Sequence, residues 1–138
     1  MAHYRAAEAL LGEVSVGLAV AALRAVHIEE GLAASKRALA IGERLGDQGL
    51  WAHAALLHGW HLWASGRVGE GMALPDRASE AAERAGDLFV ANLCGTWGSQ
   101  TASMLGDPKE GQRRALRALS RPGIAQAAAL IIQYATER

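Results

Sequence analysis

The sequence predicts an all-α chain: three helix pairs stacked as a right-handed α-α superhelix, closed by a single capping helix. Three observations carry this. The first is composition, with 30 Ala and 18 Leu among 138 residues against only 14 β-branched residues. Ala and Leu are the strongest helix formers, whereas strands favour the branched and aromatic side chains that are scarce here. The second is an internal period of forty. Gly46-Asp47 returns as Gly86-Asp87, Glu30-Gly31 as Glu70-Gly71 and Glu110-Gly111, and Ala38 as Ala78 and Ala118, all on one shift without a gap. The third is punctuation, because Gly and Pro fall at the boundaries of that period.

The elements follow in order. The first unit, about 7–46, reads as helices near 4–26 and 29–45. In the second, 47–86, Asp47 is a fitting N-cap, and the helix it opens runs to a Ser65-Gly66 stop. A helix from about Val68 to Ala85 then ends at Gly86. The third, 87–126, repeats this from Asp87 to Leu105 and, after Gly106-Asp107-Pro108, from Pro108 to Ser120. Arg121-Pro122-Gly123 closes it, and 124–137 reads as an unpaired capping helix. Breaks are therefore expected near 27–28, 46, 66, 86, 106 and 122. Pro75 falls inside a helix, where it removes a backbone hydrogen bond; a kink facing solvent is expected there. Gly31, Gly71 and Gly111 recur on the same turn of each second helix, as close packing against a first helix requires. One unit cannot bury its apolar faces alone, so the stack shares one elongated core in a single domain spanning 1–138.

Charge and composition exclude several functions. Lys+Arg 14 against Asp+Glu 14 leaves no net charge, so the basic excess that nucleic acid requires is missing. One cysteine, Cys94, excludes a disulfide scaffold and fits a reducing compartment. No uninterrupted apolar run of about 18–20 residues is found, and the start resembles no secretory signal, so a cytoplasmic domain without membrane contact is expected.

The phrase from Arg37 to Asp47, Arg-Ala-Leu-Ala-Ile-Gly-Glu-Arg-Leu-Gly-Asp, and the Ala/Gly register of the helix pairs resemble tetratricopeptide-type repeats. The forty-residue variety of LuxR-type and maltose-activator-type regulators and related signalling ATPases is the nearer match. The family's small residues fall on Gly59, Gly71 and Ala78; its large residue between the last two falls on Pro75, its helix-closing proline on Glu83 and its early Trp on Ala55. The resemblance covers almost the whole chain. It implies a non-catalytic module, a regulatory fragment of a larger protein, that offers a concave groove to a peptide, a protein partner or a small effector.

Candidate chemistry concentrates in residues 51–63, which hold three of the four Trp and three of the five His. His58 and His61 lie about 60° apart on a helix and could share an ion, but no carboxylate within a turn completes a shell. Histidines partly buried between helices are the expected reading. There is no GxSxG, and Cys94 has no base beside it in sequence, so a buried inert thiol is expected. With no nucleophile–base pair and no phosphate-binding loop, neither catalysis nor a cofactor is expected. Trp51, His58, Leu62, Ala78 and Ala118 are expected to face neighbouring helices, with Trp97 mainly core.

If the resemblance sets the register, the groove-facing positions of the central unit are His53, Leu56, Trp60 and Trp63, within about 80° of one another on the wheel. The shift of forty adds Glu13, Val16, Val20 and Leu23, with Arg24 beside them, on one side. It adds Leu93, Thr96, Gln100 and Ser103 on the other. Trp60 and Trp63 are expected to stand in the groove, so that replacing both spares the fold. The alternative is structural: the Trp-rich surface closes a homodimer.

Overall fold

In the computed structural model, which describes residues 1–121, those residues form an all-helical chain without strands. The helices are α1 (Ala2–Ala25), α2 (Ile28–Leu45), α3 (Gln48–Ala64), α4 (Val68–Met72), α5 (Pro75–Ala85), α6 (Leu88–Met104) and α7 (Pro108–Leu119). The expected break at 122 and the capping helix 124–137 lie outside the described residues.

The stops between helices repeat the sequence period in atomic detail. Asp47 and Asp87, forty residues apart, each cap the following helix, their carboxylates accepting from Leu50 N–H at 2.9 Å and Val90 N–H at 3.0 Å. Asp107 does the same for Glu110 N–H at 3.0 Å. Gly46, Gly66, Gly86 and Gly106 all stand at positive φ, between 66° and 90°, where a side chain would be strained. At the equivalent stop after α1 the residue is Val26, held at φ 61°, a conformation costing roughly 1–2 kcal/mol in an L-residue with a side chain.

Packing follows chain order. α1 lies on α2, α2 on α3, α3 on α4 and α5, α5 on α6, and α6 on α7, while the first helices of adjacent units also touch, α1 with α3 and α3 with α6. Two clusters make the core. Val16, Ala19, Ala34, Ala38, Ala54 and Leu57 join α1, α2 and α3; Leu56, Ala78, Ala81, Ala82, Val90, Cys94 and Trp97 join α3, α5 and α6. Leu39 and Trp60 pack against both, so the core is continuous along the stack.

The small residues set how closely the helices approach. A Cβ at Gly71 would meet Gly59 O at 2.9 Å, and one at Gly111 would meet Ser99 O at 2.8 Å: the same contact, forty residues on. A Cβ at Gly31 would overlap the His61 ring.

One expectation is corrected. Pro75 does split its helix, opening α5 after the break at Ala73-Leu74, but the ring is buried rather than facing solvent. It lies where a Cβ on Gly98 of α6 would meet it at 3.4 Å, a partner 23 positions away that local sequence does not reveal. α1 is long and apolar enough, by length and average composition alone, to cross a membrane, although Glu8 and Glu13 interrupt any unbroken apolar run. Its inward face packs on α2 and α3.

Candidate functional site

α3 (Gln48–Ala64) touches both α1 and α6, and the concentrated Trp and His residues lie on it. Its α2-facing side is filled around His58, His61 and Leu62, while Trp51, half-buried, borders a polar hollow of about 290 Å³ with Arg77, Glu80 and Arg84 of α5. Trp51 backbone lies where a Cβ at Gly42 would touch it at 2.9 Å, and the Arg77 guanidinium stacks over the Trp51 ring at 5.2 Å. His58 Nδ1 and Ser35 Oγ share a 2.9 Å hydrogen bond, while Ser35 Oγ also reaches Gly31 O at 2.7 Å. His61 is fully buried; its Nδ1–H donates to Leu57 O at 2.7 Å and its Nε2, turned towards Gly31, has no hydrogen-bond partner. Leu62 is buried and meets Gly71. These side chains fill an interface. Among the described residues no three His, Cys, Asp or Glu converge on one point.

The opposite side of α3 is open. Trp60, Trp63 and Ala64 line a cleft of about 400 Å³ with Leu23 from α1 and Trp97, Gln100, Thr101 and Met104 from α6. Trp97, only 6% exposed, forms the floor: its ring covers Gly59 and meets Trp60 edge-on, with centroids 6.4 Å apart and planes at 80°. Trp63 is 40% exposed and forms the rim. The Thr101 hydroxyl donates to Trp97 O at 2.8 Å, and the Gln100 amide adds a polar side chain to a mainly apolar wall.

Of the thirteen residues expected in the groove, Leu23, Trp60, Trp63 and Gln100 line this cleft. Val20 and Leu93 are half-buried and pack against the two core clusters. Leu56 (1% exposed) and Val16 (8%) are core residues, a correction with a simple cause: α5 and α2 close over them, and a wheel gives direction but not cover. His53 is half-buried; burial lowers its pKa, opposed by the charge of Asp87. Glu13 and Arg24 are exposed on α1. Thr96 turns to a second hollow between α6 and α7, which Gln100 also borders. Ser103 is a further correction: its hydroxyl donates to Ser99 O at 3.1 Å and packs on Gly111, so it faces α7.

Ala64, Trp97, Thr101 and Met104 were not expected in the cleft. Their signal was available for α6, where 97, 100, 101 and 104 form an i, i+3, i+4, i+7 stripe, set slightly round the helix from the positions the shift of forty selects. Trp60 is also more than a groove residue. Because it packs against both clusters, its replacement removes core as well as wall, and the expectation that both Trp can be lost without harm to folding does not suit this geometry.

Cys94 is buried, and desolvation pushes its thiol up to about 12, so it is held as an inert thiol. Compared with protein-family models, with curated proteins and with solved structures, the chain matches none.

Proposed function

We propose that the chain is a non-catalytic binding module of tetratricopeptide-like, superhelical build, whose cleft around Trp63 takes an apolar-anchored peptide segment or a small effector in the cytoplasm. One observation carries this reading: side chains from α1, α3 and α6, the first helices of three successive units, converge on one open cleft walled by three Trp, a Leu and a Met. Clefts of several hundred Å³ lined by apolar and aromatic side chains, with few polar groups, are what small ligands and peptide anchors occupy. An exposed Trp rim gives large contact area with little conformational entropy to lose. The Gln100 amide would supply orientation, offering both a donor and an acceptor to a peptide bond or a ligand carbonyl. The sequence period supports the superhelical build, because each unit packs on the next in chain order.

The test uses the dye 1-anilinonaphthalene-8-sulfonate as an apolar probe and Trp63→Ala as the variant. The wild-type protein is expected to bind the dye saturably with one site, and Trp63→Ala to weaken binding by about tenfold, a change of about 1.4 kcal/mol. Unchanged binding by the folded variant contradicts the reading.

A further inference from the structure

We propose that the hollow bordered by the end of α2, the start of α3 and α5 is a binding site for a free α-amino acid, its carboxylate held by Arg77 and Arg84 and its ammonium by Glu43. The site lies on the α2 flank of α3, away from the cleft, and stands independently of it.

The internal repeat identifies the site. Between α5 and α7, the second helices of the central and third units, three ion pairs form a ladder: Asp76 with Arg114 at 2.8 Å, Glu80 with Arg117 at 3.9 Å and Glu83 with Arg121 at 2.7 Å. Shifted back by forty, the same ladder would join α2 to α5, but there every rung is broken. The first becomes Lys36 and Leu74, the second Ala40 and Arg77, and the third Glu43 and Ala81. A further pair changes in the same way. Arg44 donates to the Glu8 carboxylate at 2.8 Å; forty residues on, Arg84 donates at 3.2 Å to Gln48, a neutral amide. Among the described residues, Arg77, Arg84 and Glu43 have no ion partner.

These three charges meet in one place. Arg77, Arg84 and Glu43 line a hollow of about 290 Å³ together with Gln48, Glu80 and the half-buried Trp51. Beside Arg117 and Arg121, where the ladder is complete, the space is only about 10 Å³. The Arg77 guanidinium is held 5.2 Å over the Trp51 ring and Arg84 is held by Gln48, so both reach from α5 to α3 beside the hollow. Glu43 enters it from α2.

Charge and size select the ligand class. Two Arg and two Glu line the hollow, so a simple anion such as phosphate meets Glu43 and Glu80 as well as the arginines. A zwitterion sets each of its charges against a complement: its carboxylate accepts charge-assisted hydrogen bonds from the guanidinium groups, and its ammonium donates to Glu43. A volume of about 290 Å³ lies at the small end of ligand pockets, which suits a single amino acid. The Trp51 ring gives its side chain a flat apolar wall.

Titration of the full ¹⁵N-labelled chain with L-alanine, L-leucine and L-glutamate in turn tests this, with the Trp51 indole N–H as reporter. At least one of them is expected to shift that resonance saturably with a Kd below roughly 1 mM, while the Trp60, Trp63 and Trp97 resonances stay in place. For that amino acid, removing the carboxylate as the amide, or the ammonium as the deaminated acid, should weaken binding at least about tenfold. Glu43→Gln and Arg84→Gln, both at exposed positions, are each expected to weaken it about tenfold with an unchanged helical circular dichroism spectrum. Trp63→Ala should bind the amino acid as the wild type does. The proposal is overturned by the absence of any saturable shift up to about 10 mM, or by equal binding of the amide or the deaminated acid. Folded Glu43→Gln and Arg84→Gln variants that bind as the wild type does overturn it too. So does a shift confined to the three cleft resonances, which would assign the amino acid to the cleft.

Discussion

The two flanks of α3 carry the same kinds of residue and meet opposite fates. Towards α2, His58 and His61 enter a space made by Gly31 and Ser35, and Trp51 packs over Gly42. Towards α1 and α6, Trp60 and Trp63 face Leu23, Gln100 and Met104, which border a cleft rather than fill it. The difference lies in the neighbours. A large side chain is absorbed where the facing helix offers a glycine or serine, and left as a wall where the facing helix offers long side chains. Residue type on α3 alone does not decide which flank is core.

The largest effect is expected at the junction of the two flanks. Trp97→Ala removes the cleft floor and a core residue together, and should cost roughly 3–5 kcal/mol in urea melts. A loss below about 1 kcal/mol would move Trp97 to the open side and dissolve the contrast. Next comes the closed flank. Gly31→Ala places a methyl group in the His61 ring, which its hydrogen bond to Leu57 O holds in place, and overpacking of this kind costs roughly 1–3 kcal/mol. Shortening His61 to Ala in the same chain should relieve most of that added cost; a double-mutant cycle showing no coupling would mean the two do not meet.

A smaller effect is expected from pH. Burial lowers the pKa of His58, and the neighbouring His61, Arg67 and Lys36 lower it further, against Glu70. Its folded pKa thus lies below its unfolded value of about 6.5, so the stability it contributes is present above the unfolded value and is lost as pH falls from there through the folded one. Thermal midpoints should therefore decline from pH 7 to pH 5, and decline less in His58→Gln. An identical decline in the variant would remove His58 from the account. The smallest effect belongs to the open flank: Trp63→Ala, at the rim, should change stability by less than about 1 kcal/mol.

The sequence made the helix stops legible because each rests on a local device. An Asp cap or a Gly at positive φ acts within one turn, and among the described residues the breaks between helix pairs and within them fall within a residue or two of those expected at 27–28, 46, 66, 86 and 106. The recurrent close contacts at Gly71 and Gly111 were legible for a related reason, since a shift of forty carries one helix crossing onto the next. Cover was not legible. The burial of Pro75 against Gly98, and of Leu56 beneath α5, depends on how far a distant helix closes over a given direction, which periodicity does not encode. The cleft was legible only in part: the wheel located Trp60 and Trp63, whereas Trp97 was read as core, and it is both core and floor.

The four Trp indole N–H groups report on both flanks in a single spectrum. Trp51 lies on the α2 flank beneath Arg77, beside a hollow of mainly charged and polar lining, and Trp60, Trp63 and Trp97 line the apolar cleft. Titration of the ¹⁵N-labelled protein with 1-anilinonaphthalene-8-sulfonate should shift the three cleft indole resonances saturably and leave that of Trp51 in place. A titration that shifts Trp51 while the three cleft resonances stay fixed would contradict the claim that an apolar ligand enters α3's flank towards α1 and α6 rather than its flank towards α2.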